Sequence, residues 1–413
     1  MKCSFSRWIL VNCVVLAAWA ISSGSANAQS FGPELHNTMM PASGGMGGTS
    51  IAQPQDLLSA VNGNPATLRQ FDGIRVTFGS GWADANIRFD QTAPLPLVGV
   101  TPFSSRSATP GSAVGNIGIT HALDEMGMPV TLGLALTSAA GAGVDFRGVP
   151  ESNGTSAELV ILQFTGGAGV QLTDKLSVGS TISMGQSFFD APFSGIGAMT
   201  PAYGLRGALG LSYQMSPATS LGLYYQTKEN FNYQDAVLFP ANSRAFDVRM
   251  DLPDNIGLGI ANRSLMDGQL LIAADLLYKQ WDNCDLFKGI YNDQWVVQVG
   301  TQYTTQNRTK LRAGYVWAEN PIAQINSITI GGVTLPDGLP AANYLQAQLA
   351  AINQHRLSAG VGVTDVIPGL DFDTYAGFMF HASEQLGAST HVSVSSYYLG
   401  AGLTYRFRAK PSM

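Results

Sequence analysis

From residue 73 to residue 407 the sequence repeats one pattern, segments of about ten residues in which large apolar side chains keep one parity and small or polar ones the other. Such alternation puts the two sets on opposite faces of a strand. In 203–214, Tyr203, Leu205, Leu209, Leu211 and Tyr213 oppose Arg206, Ala208, Gly210, Ser212 and Gln214. In 294–303, Trp295, Val297, Val299 and Tyr303 oppose Gln294, Gln298, Gly300 and Gln302, and in 310–317, Leu311, Tyr315 and Trp317 oppose Arg312 and Gly314. A sandwich in water alternates too, but here each charge falls on the parity opposite the large apolar residues. That avoidance matters in lipid, where Arg or Lys at mid-bilayer costs roughly 2–4 kcal/mol. Trp82, Trp281, Trp317 and Tyr405 stand at strand ends, where interfacial girdles form.

Composition supports the membrane reading. Charged residues are 12% of the 413, about half the ~25% of soluble domains. No apolar run of helical spanning length follows the N-terminus, so the chain crosses lipid as a closed antiparallel β-barrel, an all-β fold without open edges. A net charge of -6 gives no reason to expect nucleic acid.

Connections test this independently. Tight turns rich in Asp, Asn, Gly or Pro occur at 124–128, 172–175, 215–218, 265–268, 305–308 and 366–369. Longer connections lie at 91–111, 147–155, 190–202, 229–242, 283–292, 319–354 and 382–394. Strict short-long alternation yields about fourteen strands, an even number as bacterial barrels require, with short periplasmic turns and long outer loops.

Residues 29–71 break the pattern. They contain Ser43-Gly44-Gly45-Met46-Gly47-Gly48, end in Asn62-Gly63-Asn64-Pro65-Ala66, and have neither apolar period. A run of roughly forty residues without regular structure is functional or disordered, and we read it as a plug inside the barrel of 72–407. Asn64-Pro65-Ala66 fixes it, because proline sets φ and Asn bonds local backbone. Before it, Lys2 and Arg7 precede the apolar run 9–21, and Ala26-Asn27-Ala28 gives 1–28 the form of a secretory signal peptide cleaved after Ala28. The apolar run continues past Cys13, against a lipoprotein signal. Cys3 and Cys13 leave with the signal, and Cys284 alone cannot form an internal disulfide.

Several runs together resemble the FadL/TodX family of outer-membrane transporters for long-chain fatty acids and other hydrophobic compounds. They are the stretch from Phe31 to Asn64-Pro65-Ala66, Leu252-Pro253 with Gly257-Leu258-Gly259, Ala274-Asp275 and Trp281, Arg312-Ala313-Gly314-Tyr315-Val316-Trp317 with Asn320-Pro321, and Gly402-Leu403-Thr404-Tyr405-Arg406-Phe407. The resemblance implies a fourteen-stranded barrel in a Gram-negative outer membrane with an N-terminal hatch, capture by outer loops, a pocket against the hatch, and release sideways into membrane lipid beside a kink in the third strand. Here that strand is 130–146, and Gly141 and Gly143 either mark the kink and its gate, since glycine in a strand often marks a bulge, or simply pack against the hatch. The closing 402–407 resembles the signal read by the barrel-assembly machinery, followed by a tail, 408–413.

Apolar residues crowd the outer connections: Leu95, Leu97, Val98, Phe188, Phe189, Phe193, Phe231, Tyr233, Val237, Leu238 and Phe239. They form either a capture surface or a mouth packed on itself. Ala342, Leu345, Leu349 and Ile352 have helical spacing, either a lid helix or a stripe that only packs. Parity sends Arg206, Arg249, Asp251, Asp275, Lys279, Arg312, Arg356, Asp371 and Asp373 to the lumen. Most pair with one another. Arg206 and Arg312, whose strands lack a near acidic neighbour, are the candidates for a ligand carboxylate, and Phe31, Phe188, Phe189 and Phe239 for its tail. The sequence calls for no cofactor or metal. Aromatic hydrocarbons are the alternative cargo. A lipase or protease is the alternative of another class, but His36, His121, His355, His381 and His391 come with no nucleophile elbow or metal-ligand spacing.

Overall fold

Alternation becomes wall. The computed structural model describes residues 34, 36–190, 199–239, 244–325, 327–330, 333–336 and 340–407. The expected signal peptide, Phe31, Phe193 and the tail lie outside them. The strands of the wall are β1 (Ile74–Gln91), β2 (Ser112–Ala122), β3 (Val130–Asp145), β4 (Ser156–Gln171), β5 (Leu176–Asp190), β6 (Thr200–Ser216) and β7 (Thr219–Gln226). They continue as β8 (Asn255–Leu265), β9 (Leu270–Lys279), β10 (Gln294–Thr304), β11 (Thr309–Ala318), β12 (His355–Ile367), β13 (Leu370–Leu386) and β14 (Thr390–Phe407). Each pairs with the next, and β14 returns antiparallel to β1 with Ile74 opposite Phe407 and Gln91 opposite Thr390, so the fourteen strands close.

The parity reading holds around the wall. Leu205 is 67% exposed on the outside while Arg206 beside it is 4% exposed inside. Leu134, Phe164, Ile182, Leu258, Trp295, Leu311 and Leu399 continue an apolar outer band. A band this extensive suits hydrocarbon rather than water. Among the described residues no helix is long and apolar enough to cross a membrane.

Four expectations need correction. Residues 382–394 are not a long loop: β13 and β14 run on to a tight turn over Gly387, whose φ is +59°. Of the expected loop 229–242, the described part is a strand, Glu229–Phe239, paired with Arg244–Leu252 in a hairpin that lies against the inner side of β5 and β6, where Gly185 and Gly204 leave room for Glu229 and Phe231. Arg249 sits on that hairpin and is exposed, so barrel parity does not apply to it. Trp281 is no girdle residue. The chain leaves the wall after Lys279, and the ring is buried edge-on to Phe287 and Tyr291.

Candidate functional site

Residues 36–71 fill the inside of the barrel. Their only α-helix, α1 (Leu57–Asn62), is capped by Asp56, whose carboxylate accepts from Ser59 N at 2.8 Å and also from Ala42 N and Ser43 N. Irregular backbone needs such partners when it is buried. The wall supplies the rest. Asp275 on β9 accepts from Ser50 N at 2.6 Å and Ile51 N at 3.0 Å. Asn64 donates to Ile51 O at 2.8 Å and across to Leu211 O on β6 at 2.9 Å, while its Oδ1 takes Ala66 N, the turn that Pro65 starts. Arg69 grips Asp124, in the turn between β2 and β3, with both terminal nitrogens. The wall's inner glycines permit this approach: a Cβ on Gly210 would stand 2.0 Å from Asn64 Oδ1, and one on Gly314 2.1 Å from Gly47 N.

Toward the long loops the first described residue of the segment is Glu34. Its carboxylate takes hydrogen bonds from Arg206 Nη1 at 3.1 Å, Asn255 Nδ2 at 2.9 Å and Lys279 Nζ. Arg206 also donates to Thr227 O and Pro253 O. Arg312 donates to Asp373 Oδ1 and to Gln302 Oε1, both at 2.7 Å, and Gly362 leaves the space in which Arg312 and Asp373 meet. Both candidate arginines therefore have carboxylate partners already, which corrects the expectation that no acid stood near. Those partners come from the interior segment and from two strands away, and reading each strand alone misses them.

Next to Glu34 a narrow cavity of about 30 Å³ is lined by His36, Lys279, Trp281, Tyr291, Asn353 and Arg356 among others. That is room for a water or two. Above it the long connections pack on one another, as the second of the two loop readings had it. Phe189 stacks obliquely on Tyr233, and Phe89, Phe103, Phe146 and Tyr344 form a second aromatic cluster. Phe188 is half-buried on the outer parity of β5, that of Ile182 and Met184, Leu97 stands open to solvent, and Phe239 ends the inner hairpin strand. A helix stands in this connection, α2 (Pro340–Gln348), burying Ala341, Asn343, Tyr344, Gln346, Ala347 and Gln348, with Ala342 and Leu345 half-exposed. Tyr344 donates to Thr155 Oγ1 at 3.1 Å, and Gln346 to Ile290 O and Ala323 O, both at 2.7 Å.

The seam between β2 and β3 is the shortest in the wall. β2 pairs with β3 only from Ile117 opposite Leu136 to Ala122 opposite Thr131. Beyond it β3 bulges at Ala139, and burial stops alternating, with Ala139, Ala140, Ala142, Gly143 and Val144 all buried. The bulge is two residues before Gly141. Asn116 holds the fork of the split: its Oδ1 accepts from Ser138 N at 3.0 Å and its Nδ2 reaches Met39 O of the interior segment at 3.4 Å. The far end of β3 is held by another segment, Ala108 N donating to Asp145 O at 2.7 Å. Between the two ties, no strand pairing or backbone hydrogen bond joins β3 to the β2 side among the described residues. No motif foretold Asn116.

No family model matches the chain, and no curated protein does. Solved structures do. The *Pseudomonas putida* toluene transporter TodX superposes with a TM-score of 0.67 over 90% of this chain and 99% of its own, at 18% identity. A *Pseudomonas aeruginosa* FadL homologue gives 0.66 over 91% and 100% at 14% identity, and the *Ralstonia pickettii* toluene transporter TbuX 0.63 over 89% and 98% at 18%. These likenesses establish the fold read from the sequence resemblance, a fourteen-stranded barrel of the FadL/TodX type.

Proposed function

We propose that this chain is an outer-membrane channel of the FadL/TodX type through which hydrophobic small molecules enter a Gram-negative cell passively, down their own gradient. The observation that carries the reading is the abbreviated seam in a barrel whose bore is filled. A straight path is blocked by residues 36–71, and the unpaired stretch of β3 is a way out through the wall into lipid. The neighbours are described as toluene transporters and a FadL homologue, transporters and not enzymes. The apolar outer band lies in the membrane, the tight turns face the periplasm, and β14 carries the closing residues that the assembly machinery would read.

In this reading residues 29–71 are the hatch, fixed by Asn64, Pro65 and Ala66, and Gly141 and Gly143 let β3 bend inward at the gate. Ligand pockets run to about 300–1,000 Å³, an order of magnitude above the present cavity, so this is the closed state and passage requires the cap or the hatch to move. Phe188, Phe189, Phe239 and, outside the described residues, Phe31 offer apolar surface to the tail. Arg206 and Arg312 would meet a ligand carboxylate only by exchange with Glu34 or Asp373. Long-chain fatty acids are the first cargo and aromatic hydrocarbons the second. A dozen methylenes at about 0.8 kcal/mol each give roughly 10 kcal/mol gross, against about 1.5–3 for a charge-assisted hydrogen bond. The tail gives affinity and the head group gives selectivity.

The test is accumulation of labelled palmitate and of labelled toluene by cells with and without this chain in the outer membrane. Faster accumulation of either supports the reading, and equal accumulation of both in the two cell lines overturns it.

A further inference from the structure

The outer face of the wall is not apolar up to its loop end. On the outward parity of β1, Trp82 is followed toward the long loops by Asp84, Asn86, Arg88 and Asp90. On that of β14, Leu399 is preceded by Tyr397, Ser395 and Ser393, with Asn86 opposite Ser395. The apolar band thus gives way to a polar crown, as it does at the head-group level of a bilayer.

At that boundary β13 breaks step with β14. Met379 stands opposite Ser396 and Ala382 opposite Val394, so two residues, Phe380 and His381, face the single Ser395. A bulge of this kind re-aims side chains. Phe378, Phe380 and His381 are all exposed, the two phenyl rings edge to face at 4.7 Å. Asn353, which lines the interior cavity, supports the break from within by donating to Phe380 O at 2.8 Å and Val394 O at 3.1 Å. Two carbonyls at the break therefore keep a donor. The short strand Phe103–Arg106 pairs with the loop end of β1 and brings Arg106 to the same face. The result is a groove of about 360 Å³ in the outside of the wall, lined by Phe378, Phe380, His381, Tyr397, Asn86 and Arg106 among others.

Charge around the groove is unevenly answered. Asp84 also lines it, and its carboxylate accepts from the Tyr397 hydroxyl at 2.9 Å. Arg88, outside the groove, lies 3.5 Å from Asp90 and donates to Ser104 Oγ at 2.6 Å. Arg106 stands directly opposite Arg88, exposed and with no ion pair among the described residues. Like charges facing each other across a strand pair repel, and only one of these two has a carboxylate. An anion on Arg106 would answer the other.

We propose that this groove holds a phosphorylated lipid of the outer leaflet, with its phosphate on Arg106 and its acyl chain along Phe378 and Phe380. A guanidinium takes phosphate oxygens through paired N–H donors. Asn86 and Ser395 add neutral donors, and Tyr397 has the apolar body and polar tip suited to the level where head groups meet hydrocarbon. The groove opens outside the barrel, away from the bore and from the β2–β3 seam. From the uptake reading it takes only which end of the barrel faces outward.

The experiment mixes the purified full chain in detergent with lipid A bearing two phosphates, or with the same lipid dephosphorylated, and measures retained lipid by native mass spectrometry. Wild type should retain the phosphorylated form about tenfold or more tightly, from the usual strength of a charge-assisted hydrogen bond. Arg106→Gln should bring the two forms to the same level. Arg88→Gln, in the same crown but outside the groove, should keep the preference. Equal retention of the two forms by wild type needs no variant to read and overturns the proposal, as does an unchanged preference in Arg106→Gln. Loss of the preference in Arg88→Gln as well would show a diffuse attraction of the crown and remove the groove as the site. Displacement of lipid A by equimolar inorganic phosphate would make it a free-anion site and remove the lipid. Each of these failures leaves hydrophobe uptake standing, because neither lipid is its cargo.

Discussion

Two seams of the same wall differ in a way that chain proximity does not explain. β1 and β14 are the ends of the barrel, more than three hundred residues apart, yet they pair along the whole length of β1. β2 and β3 are joined by a tight turn and should zip easily, since short loops close at little entropic cost. They separate after Ile117 and Leu136. Neighbours in sequence are therefore held apart while distant strands are held together. The short seam is a built feature, maintained by the Ala139 bulge and by Asn116, which bonds backbone on the far side of the split and the hatch behind it.

The sharpest way to break this comparison is to staple the split. Cysteines at Gly115 and Ser138, where Ser138 Oγ already lies 3.4 Å from Gly115 O, should reduce palmitate accumulation to background when oxidised and restore it on reduction. The same pair at Ser80 and Ala401, opposite one another on the long seam, should change nothing. Loss of uptake in both would mean that any stiffening of the wall is enough, and the distinction between the seams would go.

A smaller effect is expected from Asn64→Ala, which leaves Ile51 O and Leu211 O without their donor. The cost is about 1–3 kcal/mol, read as a lower unfolding temperature and as leakage of small hydrophilic solutes through the loosened bore. Hydrophobe uptake should persist, because its exit is through the wall. Asn116→Ala should raise palmitate uptake severalfold by freeing the fork, with a stability loss of about 1 kcal/mol for its hydrogen bonds. Unchanged uptake would reduce Asn116 to a structural tie.

The smallest effect concerns the turn that starts the short seam. Hydrogen bonds from Arg69 hold the Asp124 carboxyl below the usual carboxylate range. A depressed folded pKa contributes stability above the unfolded value, near 3.8, and that contribution is lost as pH falls through the folded one. Wild type should therefore unfold slightly above Asp124→Asn at pH 7, and the difference should shrink below pH 3.8 and vanish once the pH lies under the depressed folded value. A difference that persists there would assign the effect to something other than this ion pair.

The wall was legible because it is written in period two: Leu205, Leu209 and Leu211 outside and Arg206 inside follow from parity alone. The segment that lies inside the barrel was legible as a break in that period, ending in Asn64-Pro65-Ala66. Parity fails where the chain leaves the wall, so Trp281 and Arg249 were misplaced, and 382–394 reads as a loop from sequence because Ser383, Gln385 and Ser389 on one parity and Glu384 and Thr390 on the other are all polar. The cavity was the least legible part. Glu34 and Arg206, or Arg312 and Asp373, are brought together by closure of the barrel around the segment, and no local spacing records that.

The hatch precedes the wall in the chain, and the wall cannot close until β14 reaches β1. A segment tied to β6, to β9, to β12 and to the β2–β3 turn cannot be threaded into a finished cylinder whose strands offer it only glycine-wide clearances. The cylinder must instead be wound about it, so what later acts as an obstruction serves first as a mandrel, and a chain that loses the mandrel's fit risks sealing around an empty bore.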